Sequence, residues 1–470
     1  MKEKMKKAVI LLIWLILWQV TAFFINNPIY FASPLEVVTE LANKLVNAAF
    51  WQSVGGSLLR ILTGFLAAFL LAFISAFTAH RYPLFKDFIS PLVTFLKSVP
   101  VAAVAVILLI WWGPEYLVLC ISLMVVFPNI YLNMQAGIES ADSGLIEMAD
   151  VFGIGVPDRF LWIYRPAYLP HLFSAVSVSL GMGFKSGIAA EVIGLPRFSA
   201  GEQLYRDKIY LNTAGVFAWV IVILALSSLT EKLIIKALKL LSDVPPAILK
   251  EYSPAPGSEK AKKAASFMTG TGAPGAPGAG PLPGDHTVYA EGIKKAYEGR
   301  LIIDTDVKLK PGKIYCLNDP SGAGKSTLFG ILTGIIRPDG GRVQTDRISM
   351  VFQDDRLVEK ANALRNLKFA GCSGDLIGEL KKLLPVHVLQ LPVSGLSGGE
   401  RRRLCIIRAM LCPSDIVIMD EPFAGLDEET AERTGEWVLQ HLNGRTLLFT
   451  THEAEPASFA GAEVIPLIRS

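Results

Sequence analysis

Residues 314–333 read IYCLNDPSGAGKSTLFGILT: a short apolar run, a glycine-rich turn, then an amphipathic stretch. Strand, turn and helix in that order build a phosphate cradle, because backbone N–H groups of the turn and the helix N-terminus converge on an anion. Ser321, Gly322 and Gly324 belong to the turn, Lys325 reaches toward β- and γ-phosphates, and Ser326 offers a hydroxyl to Mg²⁺, with Thr327 beside it. One residue opposes the pattern. Asp319 stands where G-x-x-x-x-G-K-[ST] takes glycine. Aspartate tolerates left-handed backbone better than most residues. Its charge is the larger obstacle: about 5 Å from one phosphate charge, at an effective dielectric of 20, it costs on the order of 3 kcal/mol. Asp319 must therefore point away, be neutralised, or weaken nucleotide binding.

Two more segments carry chemistry. Residues 416–421, IVIMDE, read as a buried strand ending in two carboxylates. Asp420 suits a Mg²⁺ shell, and Glu421 suits orienting or deprotonating an attacking water. The plainer reading of two acids at a strand end is a solvated turn. His452 closes another apolar run, Phe449-Thr-Thr-His452, where it would contact a γ-phosphate; a lone histidine there is more often structural.

These residues need a scaffold, and composition bounds it. The 470 residues are 51% hydrophobic and 19% charged, with mean hydropathy +0.43. Soluble chains run about 45–50% apolar with glycine included and about 25% charged. A purely soluble enzyme, a disordered chain and a coiled coil are excluded. A net charge of +3 makes no case for nucleic acid, and five cysteines without a C-x-x-C pair read as reduced thiols.

The apolar excess lies before residue 240. Six segments are candidate membrane spans: Ala8–Ile25, Ser57–Ala79, Val99–Trp112, Tyr116–Tyr131, Leu172–Gly194 and Gly215–Leu233. The third is short, and Phe88–Leu96 extends it through Pro91 and Pro100. A cleaved signal peptide is the alternative for the first, since four lysines precede it, but no clear cleavage site follows. Eleven Lys and Arg on one set of flanks against four or five on the other place the N-terminus inside and everything after residue 240 in the cytoplasm. The expected domains are a helical permease-like part over 1–243, a Pro/Gly-rich tether over 244–285, and an α/β part over 286–470.

Leu396-Ser-Gly-Gly-Glu-Arg-Arg-Arg403 resembles the signature motif of ATP-binding cassette (ABC) transporters, and the spacing fits: 23 residues from Ser397 to Asp420, 6 from Glu421 to Asp427, 31 from Glu421 to His452. The resemblance implies that Gln353 is the Q-loop residue on the Mg²⁺ shell and that Asp427 closes the D-loop. His452 is then the switch histidine, and Tyr297 the aromatic stacked on adenine. Glu147-Met-Ala149, Gly153, Ile163 and Pro166 resemble the E-A-A loop of importer permeases, with Met148 in place of an alanine and Arg165 in place of a leucine. In that family the loop is a cytoplasmic coupling helix docking near the Q-loop. Ser33-Pro34-x-Glu36, Ser57-Leu58-x-Arg60, Gly64, Lys97-Ser-Val-Pro100 and Trp111–Gly113 are similar to the nitrate/sulfonate/taurine/bicarbonate permease subgroup.

The resemblance implies a homodimer with ATP held between one phosphate loop and the partner's signature (Ser397, Gly398, Gly399), and a separate extracytoplasmic substrate-binding protein. Lys185 and Glu191 fall inside the fifth span, about 120° apart on a helix, so they are not expected to pair. Lys185 is the candidate pore residue for an anion, with snorkelling or a pair across the dimer as the plainer reading. The competing classes are a half-exporter, and a scaffold that binds ATP and hydrolyses it weakly because of Asp319.

Overall fold

The computed structural model describes residues 2–242, 288–318, 320, 322–450, 459 and 461–465. The expected tether 244–285, Asp319, Ser321 and His452 lie outside the described residues. Two compact units result, and they do not follow chain order. One comprises Met1–Ser140 and Ala167–Pro245; the other comprises Ala141–Pro166 and Pro246–Ser470.

The first unit is helical: α1 (Lys2–Ile25), α2 (Pro34–Leu45), α3 (Ala48–Arg81), α4 (Pro83–Ser98), α5 (Val101–Glu139), α8 (Arg165–Gly194), α9 (Ala200–Ile209) and α10 (Thr213–Ser242). Among the described residues four helical stretches are long and apolar enough to cross a membrane: Ala48–Arg81, Val101–Glu139, Val156–Gly194 and Thr213–Ser242; Val9–Ile25 is shorter. α5 is 39 residues, about 58 Å at 1.5 Å per residue against roughly 30 Å of hydrocarbon. It breaks at Gly113, whose φ of 75° and ψ of 176° are not helical, so the third and fourth expected spans share one run divided there. The chain also leaves helix at Val99 and Pro100, between α4 and α5.

Several sequence landmarks acquire a physical role. Ser33 and Glu36 form a reciprocal capping box that starts α2. Gly64 lets α3 approach α5, since a Cβ there would sit 2.7 Å from Ser122 Cβ. With no hydrophobic drive between helices in lipid, such small residues are what permit close packing.

The second unit holds two sheets. β1 (Val288–Tyr297), β2 (Arg300–Leu309) and β4 (Gly340–Gln344) form an antiparallel sheet in the order β2-β1-β4. β3 (Ile314–Leu317), β5 (Ile348–Val351), β6 (Ile416–Met419), β7 (Thr446–Thr450) and β8 (Glu463–Val464) form a parallel one, ordered β5-β6-β7-β3-β8. β6 and β7 are buried at every position, as expected of central parallel strands covered on both faces. The accompanying helices are α11 (Lys325–Leu332), α12 (Ala363–Phe369), α13 (Leu376–Leu383), α14 (Gly398–Leu411) and α15 (Glu428–Gln440).

The same unit includes α6 (Ser143–Val151) and α7 (Val156–Arg159), which runs through a π turn at Phe160–Tyr164 into α8.

Candidate nucleotide and coupling sites

In an open parallel sheet, ligands bind beyond the carboxyl ends of the strands. Lys325, Ser326, Gln353, Asp420 and Glu421, of the expected residues, lie at that edge. β3 runs into the glycine turn, in which Gly322 and Gly324 take φ of 83° and 99°. The φ of Gly324 is what favours glycine there, and a Cβ would also crowd Ile303 Cδ1 at 2.8 Å. α11 begins at Lys325, which is buried, 6% exposed, and Thr327 lies half-buried beside Ser326 in its first turn.

Across the gap, Ser326 Oγ donates to Asp420 Oδ2 at 3.1 Å. Thr450 Oγ1 donates to Asp420 Oδ1 at 2.7 Å and accepts the Glu421 N–H at 3.0 Å. The β6–β7 register, with Met419 opposite Phe449, brings Asp420 beside Thr450. Glu421 adopts φ of 48°, left-handed backbone that a non-glycine residue keeps only when its neighbours hold it. Exposed Gln353 follows β5 at the same edge. A buried carboxylate within hydrogen-bond reach of a hydroxyl suits a hard cation with oxygen ligands.

Tyr297 ends β1 at the tip of the β1–β2 hairpin, 46% exposed, with Lys295 Nζ 5.6 Å from its ring centroid. Ser397 caps α14 in a second capping box with Glu400, and the first residues of the helix are exposed Gly398 and half-buried Gly399. Burial pulls the Glu400 carboxyl up, but hydrogen bonds from the Ser397 backbone and hydroxyl, with Arg403 and His387, hold it below its usual value. Asp427 caps α15; bonds from Thr430, backbone first, lower its pKa. The motif residues thus double as helix starts.

The segment 141–166 packs into the cassette. Met148 and Ala149, each 0% exposed, join Phe152, Ile154 and Ile163 in the cassette's hydrophobic core. Glu147 Oε2 receives a 2.6 Å bond from Arg356 Nη1, and the Arg356 guanidinium lies 3.9 Å from the Phe352 ring centroid, so the contact flanks Gln353 on both sides. Trp162 meets Phe369 edge to face at 6.3 Å. Gly153, at φ 61°, ends α6 in a Schellman turn: its N–H bonds Asp150 O at 3.1 Å, and Ile154 N bonds Ala149 O at 2.9 Å.

Arg159, which the sequence offered only as an inner-flank charge, is 2% exposed and caps the same helix end through Ile154 O, Ala149 O and the Asp150 carboxylate. Sequence reasoning also passed over Thr450, Arg356 and Arg402. For Thr450 the signal was available, since strand register alone places it against Asp420.

The two charges of the fifth expected span part company. Lys185 lines a cavity of about 320 Å³ with Val101, Ala105, Ile121, Ser186 and Ile193. Glu191 is not among its lining residues: it is 0% exposed, accepts Ser57 Oγ at 2.6 Å and Gly201 N at 3.1 Å, and has Arg60 at 3.9 Å. Glu191 therefore ties α8 to α3 and α9.

Strand-edge phosphate loop, buried aspartate and capped glycine helix define a nucleotide-hydrolysing cassette, carried on the same chain as a membrane-type helical unit. The family described as "ABC transporter" matches residues 302–424, and "Binding-protein-dependent transport system inner membrane component" matches residues 61–237. The taurine import ATP-binding protein TauB of Pseudomonas aeruginosa is 34% identical over 201 residues, 37% of this chain and 76% of that protein. A probable sulfate/thiosulfate import ATP-binding protein, CysA of Chlorella vulgaris, is 30% identical over 206 residues, 38% of this chain and 87% of its own. A solved dimeric bacterial ABC transporter cassette is 25% identical, covering 38% of this chain and 94% of its own, with a TM-score of 0.35. The chain belongs to the ABC transporter family, as an importer-type permease fused to its ATP-hydrolysing cassette.

Proposed function

We propose that this chain is one half of a homodimeric importer that moves a small sulfonate or sulfate-like anion across the cytoplasmic membrane, supplied by a separate extracytoplasmic binding protein. Residues 1–243 form the permease, with six spans and the N-terminus cytoplasmic; 244–285 tether it to the cassette at 286–470. The observation that carries this reading is the burial of Met148 and Ala149, from between two apolar helices, in the core of the cassette. Each ATP lies between the phosphate loop (Ser321, Gly322, Gly324, Lys325, Ser326, Thr327) of one chain and Ser397–Gly399 of the other, with Tyr297 against adenine and Asp427 at the interface.

Ser326, Gln353 and Asp420 would hold Mg²⁺. That ion, when bound, neutralises developing charge on the phosphates. Lys325 holds the phosphate oxygens, Glu421 takes the proton of the attacking water, and His452 and Gln353 sense the γ-phosphate. Closure of the cassettes moves residues 147–153, and through the covalent links of 141–166 to α5 and α8 it moves the pore-lining helices.

The test uses purified full-length chain in liposomes with ATP on the cassette side. Light scattering should give a protein mass about twice 51.1 kDa. ATP-dependent uptake of taurine or sulfate should appear when the cognate binding protein is added. No ATP-dependent uptake of any sulfonate or sulfate would sink the substrate assignment. Lys185→Met should lower anion uptake about tenfold by removing the charge in an otherwise apolar cavity; unchanged uptake removes Lys185 from the path.

A further inference from the structure

One face of α14 hydrogen-bonds in sequence to the backbone that follows β5. Arg402 Nη1 donates to Phe352 O at 2.6 Å and Gln353 O at 3.2 Å, Cys405 Sγ to Asp355 O at 3.0 Å, and Arg408 Nη1 to Arg356 O at 2.7 Å. Arg402 also turns to the strand end that carries the carboxylates. Its Nη2 donates to Asp420 O and, at 2.6 Å, to Glu421 O, and its Nε donates to Pro422 O at 3.2 Å. The side chain is 4% exposed, and the nearest carboxylate oxygen, Asp355 Oδ1, is 3.8 Å away. A planar fork with five N–H donors can serve two backbone segments at once; a lysine ammonium, with three donors on one atom, cannot span both.

The consequence falls on Glu421. Its left-handed backbone is strained and persists only if both sides of the residue are held. Thr450 holds the N–H, and Arg402 together with the Ala424 N–H holds the carbonyl. We propose that Arg402 is a positioning residue for ATP hydrolysis: it ties the backbones of Gln353 and Glu421 into one unit with the signature helix. Movement of Ser397–Gly399 then reaches the hydrolytic carboxylate through a single side chain. The proposal rests on Glu421 being the general base.

Full-length Arg402→Met and Arg402→Lys chains test it by steady-state ATPase kinetics and by equilibrium binding of a fluorescent ATP analogue. Arg402→Met should lower kcat about 10- to 100-fold, the scale of a displaced catalytic group, with analogue affinity within twofold. Arg402→Lys should fall between that variant and wild type. Wild-type kcat in Arg402→Met, or affinity lost in proportion to kcat, overturns the proposal. If Arg402→Met does not yield folded protein, wild-type kcat in Arg402→Lys overturns it instead. Glu421→Gln separates the two claims: full turnover there removes the general-base reading, whatever Arg402 does.

Discussion

Glu421→Gln should lower ATP turnover about 10²- to 10⁴-fold, the range of a lost general base, while nucleotide binding stays within twofold. The amide keeps the shape of the side chain and cannot take a proton. Binding is expected to survive because the proposed phosphate contacts come from the glycine turn and Lys325, which begins α11, whereas Glu421 lies past the end of β6. The backbone should be undisturbed as well, since its N–H is held by Thr450 and its carbonyl by Arg402 and the Ala424 N–H. Phosphate release in the steady state and ATP-analogue binding measure the two quantities separately. Turnover within threefold of wild type would transfer the role elsewhere and revive the weakly hydrolysing scaffold.

Ala149→Asp should abolish ATP-driven uptake, at least about 100-fold, while ATP hydrolysis continues within about threefold. Ala149 is fully buried in the cassette core, and an unpaired carboxylate there costs several kcal/mol. That exceeds what the polar contact beside it supplies. In the Glu147–Arg356 pair the carboxylate is 40% exposed, which places it with surface pairs that contribute about 0–1 kcal/mol. Apolar burial therefore dominates the docking, and Glu147→Ala should reduce uptake only a few-fold. The ratio of solute moved to ATP hydrolysed is the measurement. If Ala149→Asp transports at wild-type stoichiometry, the segment 141–166 does not couple the two activities.

Much of the nucleotide site was legible because its parts are local. A strand, a glycine turn and a lysine at a helix start occupy one stretch of chain, and Gly324 is fixed by its own φ of 99°. Ser397 with Glu400 and Ser33 with Glu36 are capping boxes, in which three residues of spacing suffice to satisfy a helix end. The α/β and helical character of the two parts followed from where apolar runs lie. The break of α5 was half legible: Gly113 and the neighbouring prolines stood in the sequence, but the run is otherwise apolar throughout.

Other features came from long-range packing. Arg401, Arg402 and Arg403 are indistinguishable in a list, yet about 100° of helix rotation per residue turns only Arg402 fully inward. Arg159 counted in the sequence only as an inner-flank charge and is a buried cap, because the folded-back turn after Gly153 brings it over the end of α6. Lys185 and Glu191 share one helix, but Glu191 is claimed by Ser57 and Gly201, partners far off in sequence or on another helix. The sequence alone determined the cassette chemistry and the membrane character, since both rest on short-range spacing and composition. The family resemblance already implied that the loop docks near Gln353; only the tertiary structure decided which of its residues are buried there, Met148 and Ala149 among them. Which apolar face buries against which depends on contacts that the linear order does not contain.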